Sequence, residues 1–227
     1  NGKSDVGDYT VGCENASKIG NTNLANYSFE YGTGMLTIQP RSDLAITLTS
    51  HDSIYDGQSH GFTFTTNAVG NYQLTYSLGD DIWVPFTTIA ELPSSVNATD
   101  IALTVRVTNP NYTPSQATAS TTLIVEQAPL TIAMVSESNT YDGNPHMLVA
   151  STSGLVGGDE LSTYTLDPAQ ATIPGIYPVQ MVPADTWITH ATRTGNLASN
   201  YTITYLPGTL TIVDFTLADY SGIYDAQ

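Results

Sequence analysis

The sequence predicts an all-β protein made of tandem β-sandwich modules strung into an extended rod. Three observations carry this expectation. The first is internal repetition. Tyr55-Asp56-Gly57-Gln58-Ser59-His60 returns 86 residues later as Tyr141-Asp142-Gly143-Asn144-Pro145-His146, and starts again 83 residues further on at Tyr224-Asp225. Asn26-Tyr27 keeps the same phase at Asn111-Tyr112 and Asn200-Tyr201, at spacings of 85 and 89. Two landmarks with one period mark tandem modules. The second observation is period-2 alternation of β-branched and aromatic residues, with no stretch of helical period. The third is the brevity of the joints between one repeat's last strand and the next repeat's first.

The elements follow in order. A strand over Met35-Leu36-Thr37-Ile38 closes the first, partial repeat. Leu44, Ile46 and Leu48 share one face of the next strand. Phe62-Thr63-Phe64-Thr65, Tyr72 to Tyr76 and Ile101 to Val107 alternate in the same way, and Ala119 to Val125 closes that repeat. The following repeat runs through Leu130 to Met134, Met147-Leu148-Val149, Tyr177 to Met181, Tyr201 to Tyr205 and Thr209 to Ile212. About seven short strands punctuated by Gly, Pro, Asn and Asp point to an immunoglobulin-like sandwich, with a smaller grasp-like sheet as the alternative. The phase places the end of one module at 1–40, complete modules at 41–126 and 127–213, and the opening strand of another at 214–227. On this reading the chain is a cut from a longer array, and its incomplete edges invite head-to-tail pairing. Modules of this size can bury a modest core and fold alone.

The joints are Gln39-Pro40-Arg41, Glu126-Gln127-Ala128-Pro129 and Val213-Asp214. Proline fixes φ at the first two and stiffens them. Strands of 10–12 residues imply roughly 35–40 Å per module.

Composition excludes several functions. The chain has 227 residues, five of them Lys or Arg, and a net charge of −16. Nucleic acid and anionic membranes both need basic residues, so neither is expected as a partner. No apolar run reaches the length of a membrane-spanning helix. The lone cysteine, Cys13, permits no intrachain disulfide. Lysine is absent from 41–213, so no Lys–Asn isopeptide bond can form within either complete module.

The motifs read first as structure. Asp56-Gly57 and Asp142-Gly143 suit tight turns, because Gly accepts positive φ and Asp tolerates it. Tyr55 and Tyr141 are expected to pack their rings into the sandwich with the hydroxyls at its rim. Tyr112 and Tyr201 sit before a late strand like the tyrosine corner of sandwich folds. His51, His60, His146 and His190 show no zinc spacing and have no Cys partner. The loop pairs Asp80-Asp81 and Asp159-Glu160 are calcium candidates through their carboxylate oxygens, though neither has the spacing of a dedicated calcium loop. Trp83 and Trp187 are candidate sugar-stacking platforms, or else core. No nucleophile elbow, phosphate loop or His-Glu-x-x-His motif occurs, so no catalytic residues are assigned.

Asn200-Tyr-Thr-Ile-Thr-Tyr-Leu-Pro-Gly-Thr-Leu-Thr-Ile212 and Asn26-Tyr-Ser-Phe-Glu-Tyr-Gly-Thr-Gly-Met-Leu-Thr-Ile38 resemble the closing strands of MBG ("mostly beta, glycine-rich") repeats. Thr140-Tyr-Asp-Gly-Asn-Pro-His146 is similar to the opening of those repeats and of the related YDG modules, and residues 54–125 resemble a sister repeat. The resemblance implies secreted, cell-wall or S-layer-associated surface proteins and adhesins of bacteria, with such modules stacked as stalks, and it brings no catalytic residues. The expected function is a non-catalytic stalk or spacer at the bacterial cell surface. Its partners would be neighbouring repeats of the same chain, with no cofactor beyond a candidate calcium ion. The alternative is an adhesive module that binds host glycan or matrix protein through Trp83 and Trp187. A third reading, an accessory region of a secreted carbohydrate-active enzyme, rests on sequence outside this chain.

Overall fold

A computed structural model describes residues 4–13, 17, 20 and 23–214. The Tyr224-Asp225 copy, and the strand expected beyond 214, lie outside the described residues. Among those residues the chain is all-β, its strands interrupted only by three short 3-10 turns. The contacts divide it into two compact units. One holds Asn1–Ser50, Phe62–Pro93 and Ile101–Thr122; the other holds His51–Gly61, Ser94–Asp100 and Leu123–Gln227.

In the first unit, Gly7–Gly12 pairs antiparallel with Thr33–Ile38, and Ile46–Ser50 with Phe62–Thr66. Within this unit a second sheet runs in the order 116–122, 101–108, Gln73–Ser77 and Val84–Phe86. The alternation read from the sequence sets its inner face: Leu103, Val105 and Val107 are at most 1% exposed. Phe86 meets Phe64 and Tyr76 edge-on at 5.3 and 5.9 Å, a ring arrangement favoured by their quadrupoles. Asn109 is fully buried but satisfied. Its side-chain amide donates to Val69 O and its Oδ1 accepts from the Asn111 amide.

The second unit closes around two sheets. Ala128–Met134 lies between Ala150–Ser153, antiparallel, and Tyr201–Leu206, parallel. The chain then changes sheet: Glu137–Thr140 runs parallel to Gly208–Val213, which also pairs with Gly175–Met181. A switch of this kind lets one opening segment cap both sheets of a sandwich. Leu130, Ile132, Leu148, Val179 and Leu210 fill the space between at 1% exposure. Ser53–Ile54 pairs parallel with Val125 and Glu126 in this unit, and so delivers the first Tyr-Asp-Gly loop to it.

Candidate functional site at the Tyr-Asp-Gly loops

Both complete repeats build the loop in the same way. The Tyr55 amide donates to Glu126 O at 2.8 Å, and the Tyr141 amide to Val213 O at 2.8 Å. Asp56 Oδ1 accepts from the Gln58 amide at 2.8 Å, and Asp142 Oδ1 from the Asn144 amide at 2.9 Å. These Asx turns carry Gly57 and Gly143 to a φ of 78° each, where a side chain is strained. His60 Nε2 lies 2.9 Å from Asp56 Oδ1, and His146 Nε2 lies 3.0 Å from Asp142 Oδ1. Backbone bridges then tie His60 to Ser95 and His146 to Ala171. Hydrogen bonds from Asn144, backbone first, hold the Asp142 carboxyl at about 2. The His60 hydrogen bond, chiefly, lowers that of Asp56. The repeat-equivalent histidines are therefore braces of the loop.

The two copies differ in what covers them. Tyr55 is 1% exposed and Tyr141 is 46% exposed. The expectation that both rings pack inward holds for Tyr55 and fails for Tyr141, because among the described residues only Tyr55 meets a partner surface. Its hydroxyl donates to Asp159 Oδ2 at 2.7 Å and accepts from Arg193 Nη1. Tyr201 donates to the same Asp159 oxygen at 2.7 Å and accepts from the Val156 amide at 3.1 Å. Arg193 Nη2 reaches Asp159 Oδ1 at 2.7 Å and Gly157 O at 2.9 Å. The Tyr55 and Tyr201 rings cross edge-on at 5.3 Å and 83°. Gly57 and Gly157 let the two backbones touch, since a Cβ on Gly57 would come within 2.6 Å of the Gly157 Cα. Burial first, then the Asp159 carboxylate, pushes the Tyr55 phenol up, and Arg193 opposes that rise. Tyr201 is also pushed up, chiefly by burial. Tyr55 comes from the repeat at 41–126 and its partners from the repeat at 127–213, yet all belong to one compact unit.

Two of the three Asn-Tyr asparagines, Asn111 and Asn200, have a role the sequence reading missed. Asn200 Oδ1 accepts from the Ala98 amide at 2.9 Å while its Nδ2 donates to Asn97 Oδ1 at 3.2 Å. In the other unit Asn111 Oδ1 accepts from the Val6 amide at 2.9 Å while its Nδ2 donates to Asp5 Oδ1 at 3.1 Å. Each is a two-point clamp from one repeat onto the segment leading into a strand of the repeat before. The signal was the recurrence of Asn in phase with Tyr. The tyrosines also recur in kind. Tyr112 donates to Asn67 O at 3.2 Å, and Tyr201 meets the backbone of Val156, both 45 residues upstream. A tyrosine corner ties back only a few residues, so these are longer-range ties across the module.

The remaining candidates disperse. Trp187 is 4% exposed and meets Tyr205 edge-on at 6.1 Å. It is core, because its faces are covered by its own module. Trp83 is half-buried, with the Arg106 guanidinium 3.9 Å above its ring, and it belongs to the other unit. Both Asp159 oxygens are already engaged, by two phenols and an arginine. Its neighbour Glu160 is exposed. Asp80 Oδ1 closes a turn on the Ile82 amide and Asp81 takes a φ of 58°. Among the described residues, no three His, Cys, Asp or Glu are grouped to hold a metal ion. His190 accepts at Nδ1 from the amides of Thr192 and Arg193, so its Nε2 donates to Gly157 O at 3.0 Å and steadies the Arg193 loop. A groove of about 460 Å³ lies beside Tyr72, Leu74, Pro85 and Phe86 in the first unit. No helix among the described residues is long and apolar enough to cross a membrane.

Comparison with known proteins agrees with this picture of the second repeat. Residues 130–211 match the family of the MBG domain (YGX type). No curated protein matches the chain. Among solved structures, the fibronectin(III)-like modules of CbhA from Clostridium thermocellum align at 10% identity. That alignment covers 79% of this chain and all of that one, with a TM-score of 0.28. The N-terminal four Ig domains of Dscam1 isoform 9.44 align at 10% identity over 81% of this chain and 51% of theirs, with a TM-score of 0.27. The matched stretch includes Tyr141-Asp142-Gly143 and Asn200-Tyr201, so both landmarks of this repeat lie within the MBG similarity.

Proposed function

We propose that this chain is a non-catalytic spacer segment of a secreted bacterial cell-surface protein, with its modules stacked as a stalk. The observation that carries the reading is the cluster of Tyr55, Asp159, Arg193 and Tyr201. The most chemically distinctive side chains of the repeat are spent on holding one repeat to the next, and they satisfy one another fully. A buried ion pair adds little net stability over an apolar contact but fixes geometry, which suits a spacer better than a reactive site. The MBG-type domain supports a surface location, and the acidic composition supports solubility there. Small-angle scattering from the full chain is expected to give one elongated particle of narrow size distribution. A compact particle, or a broad ensemble of lengths, would overturn the stalk.

The groove beside Tyr72 and Phe86, with half-buried Trp83 in the same unit, favours a second reading as an adhesive module. It predicts saturable binding of a glycan or matrix protein to the folded chain, abolished by Tyr72→Ala without loss of melting temperature. A folded sample that binds none of a broad glycan and matrix panel leaves the spacer alone.

A further inference from the structure

Among the described residues the Tyr-Asp-Gly loop occurs twice with the same internal geometry and is covered once. The copy at Tyr55 shows what covers it: a Gly-Gly-Asp loop, an arginine and the Tyr of an Asn-Tyr pair. The copy at Tyr141 has the same Asx turn, the same histidine brace, the same φ at its glycine and the same strand bond at its tyrosine amide. Where a Cβ on Gly57 would strike Gly157, a Cβ on Gly143 would meet nothing within 4 Å. Nothing internal to the module requires Tyr141 to be a half-exposed aromatic at this position. An occupied equivalent elsewhere in the chain does account for it.

From this equivalence, and resting on the stalk reading, we infer that the Tyr141–His146 loop is the docking face for a following MBG-type module. That module would present an aspartate–arginine–tyrosine acceptor like the one at Asp159, Arg193 and Tyr201. The sequence 214–227, which restarts the Tyr-Asp phase at Tyr224, is consistent with such a successor.

The structure also narrows which module fits. The bridge of His60 to Ser95 corresponds to that of His146 to Ala171. Asn97-Ala98 therefore corresponds to Ile173-Pro174. At the covered joint Asn200 takes the Ala98 amide and gives to Asn97. At the open face Pro174 has no N–H to give, and Ile173 is 70% exposed. Strand pairing sets Val213, 45% exposed, beside Thr140 on one side and Gly175 beside Ile212 on the other. An asparagine brought against Ile173-Pro174 would lose its partners, and burying an unpaired amide is costly. The successor should therefore carry an apolar residue where Asn200 stands. The face selects its neighbour in this way, which gives the array a preferred module order.

The test is nitration of tyrosine by tetranitromethane, read site by site by mass spectrometry. In the full chain Tyr141 is expected to nitrate readily and Tyr55 to resist. The chain is then carried on from Val213 by a second copy of residues 127–213, in its native form and with Asn200→Leu in the added copy. Val213 occupies the register of Glu126, so the joint keeps its natural length. Tyr141 nitration should fall to the level of Tyr55, more completely in the Asn200→Leu version. An Asp159→Ala change in the added copy should restore it. If Tyr141 stays reactive in both extended chains while the added Trp187 emits as a buried indole, the inference fails. It fails equally if Tyr141 resists nitration in the unextended chain, because the face is then already covered by a second copy or by the chain itself. Neither result touches the scattering or glycan experiments, so the stalk reading stands or falls separately.

Discussion

Asp159 is the residue on which the covered joint turns. Its carboxylate accepts from two phenols and one guanidinium, and its side chain has no exposed surface. Removing it strands Arg193 beside two hydroxyls that have lost their acceptor. Asp159→Ala is expected to destabilise the second unit by about 3 kcal/mol, in the range for breaking a buried pair from one side. Tyr55→Phe keeps the ring contact with Tyr201 and loses only the hydroxyl, so it should cost about 1 kcal/mol. Urea unfolding followed through buried Trp187 separates the two. Equal small effects would mean that Arg193 and the tyrosines re-solvate freely, and that the cluster is not a lock.

At the scale of elements, the repeated unit is a loop with its brace and clamp. The Asx turn and the His60 or His146 contact shape the loop from within, so it folds alike whether covered or open. The clamp joins consecutive repeats through Asn111 in one unit and Asn200 in the other. Each asparagine makes two hydrogen bonds to the segment it meets. Asn200→Ala and Asn111→Ala should each cost about 1–2 kcal/mol, and each should act on its own unit. Amide hydrogen exchange provides the check. Asn200→Ala should speed exchange at Ala98 and leave Val6 unchanged, and Asn111→Ala should do the reverse. A global rise in exchange from either change would show that the asparagines support the whole fold rather than a joint.

For the whole molecule, the pH dependence follows from the buried phenols. Tyr55 and Tyr201 are both raised above the usual tyrosine value of about 10. Tyr205 is also raised, by burial and then by Asp185. A group whose folded value is raised contributes stability in full below its unfolded value, and loses it as pH climbs through the folded one. The phenols' contribution to the second unit should therefore be constant up to about pH 10 and be lost above it. The emission of Trp187 should shift red in that window, and Tyr201→Phe should move the transition to higher pH. An alkaline transition that ignores this substitution would place the sensitive group elsewhere.

The sequence determined the all-β class, the period of the modules and the positions of their tight turns. These are local properties: alternation marks a half-buried strand, and an Asp-Gly pair accepts a φ few other residues do. The strands that open and close the repeat at 127–213 also carried the resemblance to MBG repeats, and residues 130–211 match that family. Tertiary structure decided what the marked residues do. Tyr55 and Tyr141 have the same neighbours in sequence and the same loop, yet one is buried and one exposed, because burial depends on a surface brought from more than a hundred residues away. Trp187 is core and Trp83 carries an arginine over its ring for the same reason. Asp159 read as one of a loop pair of calcium candidates until folding set two phenols and a guanidinium around it, and no spacing in the sequence records that meeting. The clamp asparagines sat in plain view beside the tyrosines, but their partners lie in the preceding repeat, where only the fold could place them.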